Sequence, residues 1–546
     1  MGVHMPRGYL ILMLHAHLPF VRHPEHESFL EENWLFEAIS ETYLPLLRVM
    51  DRLEADEVPF KLTFSISPTL SSMVRDELLQ HRYVYHLERQ LELAEKELRR
   101  TRDDPRTYRV AQLYNELYTR NHLDFTEKYE GDILAGLDYY YKRGRLELLT
   151  TAATHPFLPL YESYPQLLNA QVSLGVQSHH ETFGKYPKGF WFPEAGYYPG
   201  FEEYLANNGL QYFFVATHGV LFAYNKPPAG VYLPVACPNG VTVFGRDIYS
   251  TNAVWSPEEG YPGDFTYREF FRDIGYDLPI DYIGPYIHEG TVRIPTGFKY
   301  HAVTGNTDDK LIYDPAEALR TVEKHADNFL YRQLRLVERL EGFMDEPPVI
   351  TAPFDAELFG HWWFEGPEWI ETLARRIHES GEGIAMTTPS EYLKGNRVGD
   401  TVQPAFSSWG TKGYAEVWLD GSNDWVYRHT HKAIERMTEL TERFPDETGL
   451  KERALNQAAR EVLLAQQSDW PFIMRAGTTV TYAVRRVKEH VYNFTTIYES
   501  LRRGAISTEW LTRLERKNNI FPHLDYRVFA PSALRRRGAG VPLIRK

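Results

Sequence analysis

The sequence predicts an α/β fold: a barrel of parallel strands joined by helices, with a helical insertion and an α-helical C-terminal domain. Two observations predict the barrel. Short apolar runs alternate with helical patterns, and polar residues repeatedly follow those runs. Continuous apolar runs are typical of strands buried on both faces of a sheet. The predicted strands begin near residues 9, 61, 146, 189, 212, 241, 348 and 383, with a weaker one at Val292–Pro295.

Changes in residue pattern divide the chain into three regions. A strongly charged stretch at 73–130 has apolar residues at helical spacing, which predicts a helical insertion packed against the main body. Beyond residue 400, three helical patterns follow an aromatic, glycine-containing loop. We predict a catalytic barrel at 1–72 and 131–400, the insertion at 73–130 and a helical domain at 401–546. Its basic end, 535–546, is typical of a solvated terminus.

Charge and composition favour a neutral ligand. The chain has 546 residues, and 60 Lys and Arg stand against 74 Asp and Glu. This acidic balance argues against nucleic acid as a partner, because phosphate binding needs a basic face. Aromatic residues make up 14% of the chain, which suggests a surface that stacks on flat partners, although large barrels also bury many rings. No apolar run reaches the length of a membrane span. We expect a cytoplasmic monomer or homodimer without a membrane partner.

Several common chemistries lack their sequence motifs. Cys237 is the only cysteine, so no disulfide can form within the chain and no thiolate metal cluster can assemble. The sequence contains no GxSxG nucleophile elbow, no Walker loop and no dinucleotide-binding fingerprint. Serine-hydrolase, nucleotide-dependent and nicotinamide-dependent functions are therefore not predicted.

Two of the apolar runs end in a carboxylate. Gly189–Glu194 and Pro348–Asp355 each lead into a turn, and in such barrels the carboxyl ends of the strands carry the active site. Glycoside chemistry needs two carboxyls, one that attacks the sugar and one that protonates the leaving oxygen. We predict Glu194 as the nucleophile and Asp355 as the acid/base. Glu357 is a rival acid, and a salt bridge or a helix cap is the structural alternative for either residue.

Two histidines follow the first predicted strand. His15 and His17 are two residues apart, so in extended chain they point to the same face. They fit either a metal pair or neutral hydrogen-bonding groups for a ligand or a buried carboxylate. A metal needs further ligands, and no third one is evident in the sequence. We therefore predict no metal and keep a metal-dependent barrel, such as a polysaccharide deacetylase, as the alternative.

Aromatic residues beyond the barrel suggest an extended binding groove. Trp409 and Trp418 lie in the glycine-containing loop and are the best candidates for stacking platforms, although tryptophans are more often core residues. Ser468–Pro471 interrupts a helical pattern. That segment either points back into the groove with Trp470 or simply ends a helix.

These motifs together resemble glycoside hydrolase family 57, and within it the 1,4-α-glucan branching enzymes. The resemblance implies a (β/α)7 barrel, a retaining mechanism that uses Glu194 and Asp355, and no cofactor. It also implies an α-glucan substrate and a role in glycogen biosynthesis. The segments that carry the resemblance are His15–Pro19, Leu146–His155, Gly189–Glu194, Ala352–His361 and the stretch from Trp409 to Trp425.

The same resemblance implies the residues that contact the glucan. Tyr276 stands where the family carries a tryptophan, and both rings can stack. Transfer to a sugar 6-hydroxyl, rather than to water, is expected to need a loop tyrosine over the site, for which Tyr232 and Tyr249 are the candidates. Without that shield the chain would act as an α-amylase, and 4-α-glucanotransferase is the other alternative. The implied substrate-binding residues are His15, His17, Trp34, His155, Arg268, Tyr276, Trp409, Trp418, Asp469 and Trp470.

Overall fold

The computed structural model of the chain describes residues 6–256, 259–381 and 383–534. The predicted basic tail lies outside the described residues. The strands of the described part form one sheet. They are β1 (Gly8–Ala16), β2 (Leu62–Ile66), β3 (Leu146–Thr151), β4 (Gly189–Trp191), β5 (Tyr212–Val215), β6 (Val235–Ala236), β7 (Thr242–Gly245), β8 (Val349–Asp355) and β9 (Ile384–Met386).

Seven parallel strands make the barrel, in the order β7-β5-β4-β3-β2-β1-β8. The ring closes where the amide of Asp247, just past β7, donates to the carbonyl of Thr351 in β8 at 2.8 Å. Strand β9 pairs in parallel with the start of β1, and the short β6 pairs antiparallel with β7. The predicted (β/α)7 barrel is confirmed, whereas β6 was not predicted.

Side chains alternate along the strands between two cores. In β1, Leu10, Leu12 and Leu14 point outward into the large core shared with the helices. Ile11 and Met13 point inward, where they meet residues such as Trp191 and Phe244 from other strands in a separate buried cluster. The barrel is therefore filled with side chains, and a ligand can reach it only at its rim.

Helices surround the barrel and continue beyond it. They are α1 (Asn33–Ala38), α2 (Leu44–Ala55), α3 (Pro68–Val74), α4 (Glu77–Thr101), α5 (Pro105–Leu123), α6 (Ile133–Lys142), α7 (Pro165–Phe183), α8 (Glu202–Asn207), α9 (Thr217–Leu221), α10 (Ile248–Trp255), α11 (Ile274–Asp277), α12 (Ile280–Ile283), α13 (Pro315–Leu340), α14 (Gly366–Ser380), α15 (Pro389–Gly395), α16 (Trp425–Arg443), α17 (Gly449–Leu464), α18 (Asp469–Ala476), α19 (Val480–Arg503) and α20 (Thr508–Lys517). A π-helical turn, Ile39–Tyr43, joins α1 to α2. None of the described helices is long and apolar enough to cross a membrane.

The charged stretch at 73–130 contains the antiparallel pair α4 and α5. Aspartates cap both helices, because Asp76 and Asp104 each accept a hydrogen bond from a backbone amide of the first turn. The pair packs on an irregular segment that follows α10, where Tyr114 donates to the carbonyl of Lys299 at 2.9 Å. The predicted strand at Val292–Pro295 is wrong. Val292 makes an isolated bridge to His288, and just beyond the segment the amides of Thr296 and Gly297 donate to the Asp273 carboxylate.

The C-terminal helices reach the rim of the barrel through the turn between α17 and α18. There the amide of Ser468 donates to the carbonyl of His155 at 2.8 Å, and Gln467 accepts the amide of Phe20 at 2.7 Å. A buried hydrogen bond between His490 and Glu461, 2.7 Å long, ties α19 to α17 behind this turn. The position of α18 against the barrel thus follows from contacts inside the helical region.

Candidate active site

Glu194 lies one turn beyond β4, in a left-handed backbone conformation with φ 62° and ψ 22°. Such a conformation is uncommon for a residue other than glycine, and strained positions of this kind cluster at functional sites. Two backbone hydrogen bonds hold the turn. The amide of Ala195 donates to the carbonyl of Phe192 at 2.8 Å, and the amide of Trp409 donates to the carbonyl of Glu194 at 3.1 Å.

Two donors from beyond the barrel strands also hold the Glu194 carboxylate. The indole Nε1 of Trp409 donates to Oε2 at 3.0 Å, and the hydroxyl of Ser468 donates to Oε1 at 2.8 Å. Burial raises the pKa of Glu194, whereas these two hydrogen bonds act to lower it. Burial is the larger effect, so the pKa lies above its usual range, and the two hydrogen bonds favour and orient the charged carboxylate, which is the form that attacks a sugar.

Asp355 ends β8 directly beside β1, with His15 as its register partner. Burial raises the pKa of Asp355 well above its usual range, and the charges of Glu357 and Glu194 raise it further, against the opposing charge of Arg246. Within the described residues no hydrogen bond reaches the Asp355 carboxyl. Such surroundings favour the protonated form of this carboxyl, which is the form that a general acid needs.

Glu357 is held by neighbours rather than free. Its carboxylate accepts the hydroxyl of Tyr43 and, at 3.2 Å, the backbone amide of His17. Tyr43 belongs to the π-helical turn, and such turns occur frequently at functional sites. These contacts favour Asp355 over Glu357 as the acid. Glu357 contributes a negative charge that faces Asp355.

Three histidines form a stacked cluster at the same end of the barrel. The Nε2 atoms of His15 and His155 lie 2.8 Å apart, and the rings of His17 and His155 stack with centroids 3.7 Å apart. Burial lowers the pKa of both His15 and His155, which keeps them neutral. The serines that end β2 and follow it complete the cluster, because Ser65 bonds His15 at 3.2 Å and Ser67 bonds His17 at 2.9 Å.

The fold brings together a set of possible metal ligands that differs from the predicted pair, because it contains His17 but not His15. Ligand atoms of His17, His155 and Asp469 all lie within 4.8 Å of one another. Asp469 is 452 residues from His17 along the chain, so spacing could not associate them. Every ring nitrogen of the three histidines already has a hydrogen-bond partner, including Asp469 on His17 at 3.1 Å and Ser468 on His155 at 2.9 Å. This arrangement favours the hydrogen-bonding interpretation over the metal.

Four further predicted substrate-binding residues lie where a ligand can reach them. Trp34, Trp409 and Asp469 are partly exposed, and Tyr276 has 48% of its surface exposed. Trp409 touches Glu194 through both its backbone and its indole, so it positions the nucleophile as well as offering a ring. Their contact with substrate stays a prediction.

Three other predicted contact residues are buried in the structure. Trp418, Trp470 and Arg268 are buried, with at most 3% of their surfaces exposed. Trp418 stacks on Phe157 with centroids 4.3 Å apart, and the Arg268 guanidinium lies over the ring of Phe364 at 4.1 Å. All three pack against neighbouring side chains, and their contact with substrate stays a prediction that this burial disfavours. Their loop-like sequence context does not determine exposure, because large side chains gain most from burial.

Residues that sequence reasoning missed complete the site. Ser468 holds the nucleophile, Tyr43 fixes Glu357, and the charge of Arg246 acts on Asp355. The interruption of a helical pattern at Ser468–Pro471 was the one signal that pointed to any of them.

The chain belongs to glycosyl hydrolase family 57, because the sequence model of that family matches residues 11–404. A second model, that of the 1,4-alpha-glucan branching enzyme C-terminal region, matches residues 429–529. A 1,4-alpha-glucan branching enzyme of Thermococcus kodakarensis is 32% identical, over 94% of this chain and 77% of that protein.

Two solved structures show the same fold over nearly the whole chain. The family 57 branching enzyme of Pyrococcus horikoshii superposes with a TM-score of 0.86 at 30% identity, covering 99% of this chain and 98% of the other. The alpha-amylase AmyC of Thermotoga maritima superposes with a TM-score of 0.90 at 44% identity, covering 96% of this chain and 99% of the other. Similar relatives therefore bear two different activity names.

Proposed function

We propose that this chain is a 1,4-α-glucan branching enzyme that works by retaining glycosyl transfer. The observation that carries the proposal is the pair of carboxyls at one rim, Glu194 bonded by two donors and Asp355 with a pKa raised by burial and by neighbouring negative charges. The match of both the barrel and the C-terminal helices to branching-enzyme relatives supports the glucan substrate.

In the first step, a Glu194 carboxylate oxygen attacks the anomeric carbon of a glucosyl unit in an α-1,4 chain. The bond from that carbon to the glycosidic oxygen breaks as Asp355 gives its proton to the leaving oxygen. The products are a shortened glucan with a new 4-hydroxyl and a glycosyl ester on Glu194. The charge of Asp355, now ionised, faces that ester.

In the second step, Asp355 removes the proton of a 6-hydroxyl on an acceptor glucan. The freed oxygen attacks the anomeric carbon, the ester to Glu194 breaks, and an α-1,6 bond forms. Two inversions at the same carbon retain the α configuration. His15 and His155 are buried and bond each other through Nε2, and their contact with the donor sugar stays a prediction.

Whether the ester passes to a sugar or to water depends on how well the site excludes water. The two tyrosines that are candidates for shielding the site differ in how far their side chains are held by the surrounding protein. Tyr232 donates its hydroxyl to Asp247 at 3.2 Å and is partly buried, whereas Tyr249, in the first turn of α10, has 69% of its surface exposed. We infer that Tyr249 is the better candidate, since a shield must move over the substrate.

The second candidate function is α-amylase, favoured by the 44% identity to AmyC. Linkage analysis after incubation with amylose separates the two. A branching enzyme gives new α-1,6 linkages with little new reducing sugar, and an α-amylase gives reducing sugar alone. Activity that is lost on chelation and restored by a divalent metal would instead support the metal-dependent alternative.

A role in cytoplasmic glycogen synthesis, as a monomer or homodimer, is part of the proposal.

A further inference from the structure

Trp362, in the loop that follows Asp355, forms an aromatic pair with Phe270 that the proposed mechanism does not use. The rings of Phe270 and Trp362 stack with centroids 4.1 Å apart and planes 22° apart. Phe270 is partly buried, whereas 52% of the Trp362 surface is exposed. One ring is thus supported from behind, and the other presents a face that the described protein leaves uncovered.

Polar groups that suit sugar hydroxyls surround this pair. His361 meets both rings edge-on and bonds Glu41 through Nδ1 at 2.8 Å. Its Nε2 lies 3.9 Å from the Glu37 carboxylate. The Glu37 side chain keeps 27% of its surface exposed, yet the protein around it raises its pKa to about 7. This combination is expected of a carboxyl inside a cleft rather than on an open face.

The backbone fixes the place of these groups. Gly360, with φ 113°, presses against the π-helical turn, and a Cβ there would lie 1.7 Å from the carbonyl oxygen of Glu41. Only glycine allows so close an approach at this angle. This contact fixes the backbone directly before His361 and Trp362, in the loop that follows β8. The Lys299 ammonium group lies over the Phe270 ring, 5.0 Å from its centroid.

A continuous set of contacts joins these groups to the acid/base. Glu357, whose charge acts on Asp355, bonds Tyr43, and Tyr43 lies two residues from Glu41 in the π-helical turn. Glu41 in turn bonds His361. The acid protonates the leaving oxygen, so a sugar-binding site next to the neighbours of the acid would hold the leaving chain first and the acceptor chain afterwards.

We propose that the Phe270–Trp362 pair, with Glu37 and His361 beside it, forms a glucan subsite on the leaving-group and acceptor side of the active site. A pyranose ring stacks its C–H face on Trp362, and its hydroxyls bond Glu37 and His361. This inference rests on the proposed function for the identity of the ligand.

Binding of maltoheptaose to the Glu194→Gln protein, measured by calorimetry, tests the subsite without turnover. Adding Trp362→Ala is expected to raise the dissociation constant about 5- to 10-fold, the size of one lost ring contact. Trp362→Phe should restore binding to within about twofold, because a flat ring remains. Phe343→Ala removes a ring that is 90% exposed far from the rim, and it should leave binding unchanged.

An unchanged dissociation constant in Trp362→Ala would overturn the subsite, and so would an equal loss in Phe343→Ala. Linkage analysis of the parent protein distinguishes this failure from that of the proposed function. Branch formation together with binding that does not depend on Trp362 would contradict the proposed subsite and leave the proposed function in place. Trp362-dependent binding without branches would leave the subsite standing and remove the branching activity.

Discussion

The surroundings of Glu194 and Asp355 differ in almost every respect, although both residues follow strands of one barrel. Glu194 is bonded by Trp409 and Ser468, both from beyond the barrel strands, and its backbone is strained. Asp355 has regular strand geometry, and two like charges and burial raise its pKa. The difference teaches that the role of each carboxyl is set by its neighbours rather than by its position in the fold.

Replacing Glu194 by Gln gives the largest expected effect. The amide cannot form the glycosyl ester, so turnover of amylose should fall by about 10⁴-fold or more. Glu203→Gln, on the exposed face of α8, is the matched control and should keep parent activity. Rates measured by iodine staining and by reducing ends check both. Substantial turnover in Glu194→Gln would assign the nucleophile elsewhere.

Replacing Asp355 by Asn removes the proton donor but keeps the nucleophile. We expect a loss of about 10²- to 10⁴-fold on amylose. With an α-glycosyl fluoride, whose leaving group needs no proton, the first step should recover most of its rate. Fluoride release measures that step directly. Equal losses on both substrates would contradict the assignment of Asp355 as the acid.

Replacing Ser468 by Ala tests the environment of the nucleophile. Losing a donor that lowers the pKa of Glu194 raises that pKa, so the acidic limb of the kcat/KM profile should move up by about one pH unit. Ser422→Ala, in an exposed loop, is the control and should leave the profile in place. A shift of the alkaline limb alone would show that Ser468 acts on the other carboxyl.

Replacing Glu357 by Gln gives the smallest expected effect, and it changes the surroundings of Asp355 rather than those of Glu194. Removing a negative charge that raises the pKa of Asp355 lowers that pKa, so the alkaline limb should move down by about one pH unit or less. The acidic limb should stay within experimental error. An upward shift of the alkaline limb would mean that Glu357 does not face Asp355 as a charge.

The sequence predicted the barrel well because its strands are buried on both faces and read as continuous apolar runs. Strand-end polar residues likewise identified Glu194, Asp355 and the histidines. It could not reveal partners such as Ser468 and Asp469, because the fold brings them from a distant helical region to the histidines. The exposure of individual tryptophans could not be predicted from the sequence either, because buried Trp418 and partly exposed Trp409 lie in the same loop-like stretch.

Covalent trapping tests the central claim most directly. A 5-fluoro glycosyl fluoride should acylate the parent slowly, and peptide mass spectrometry should find one glycosyl unit on the peptide that contains Glu194. The Glu194→Gln protein should carry no label, and Asp355→Asn should keep its label longer because deacylation lacks its base. A label on any other carboxyl, or products of inverted configuration, would contradict the account.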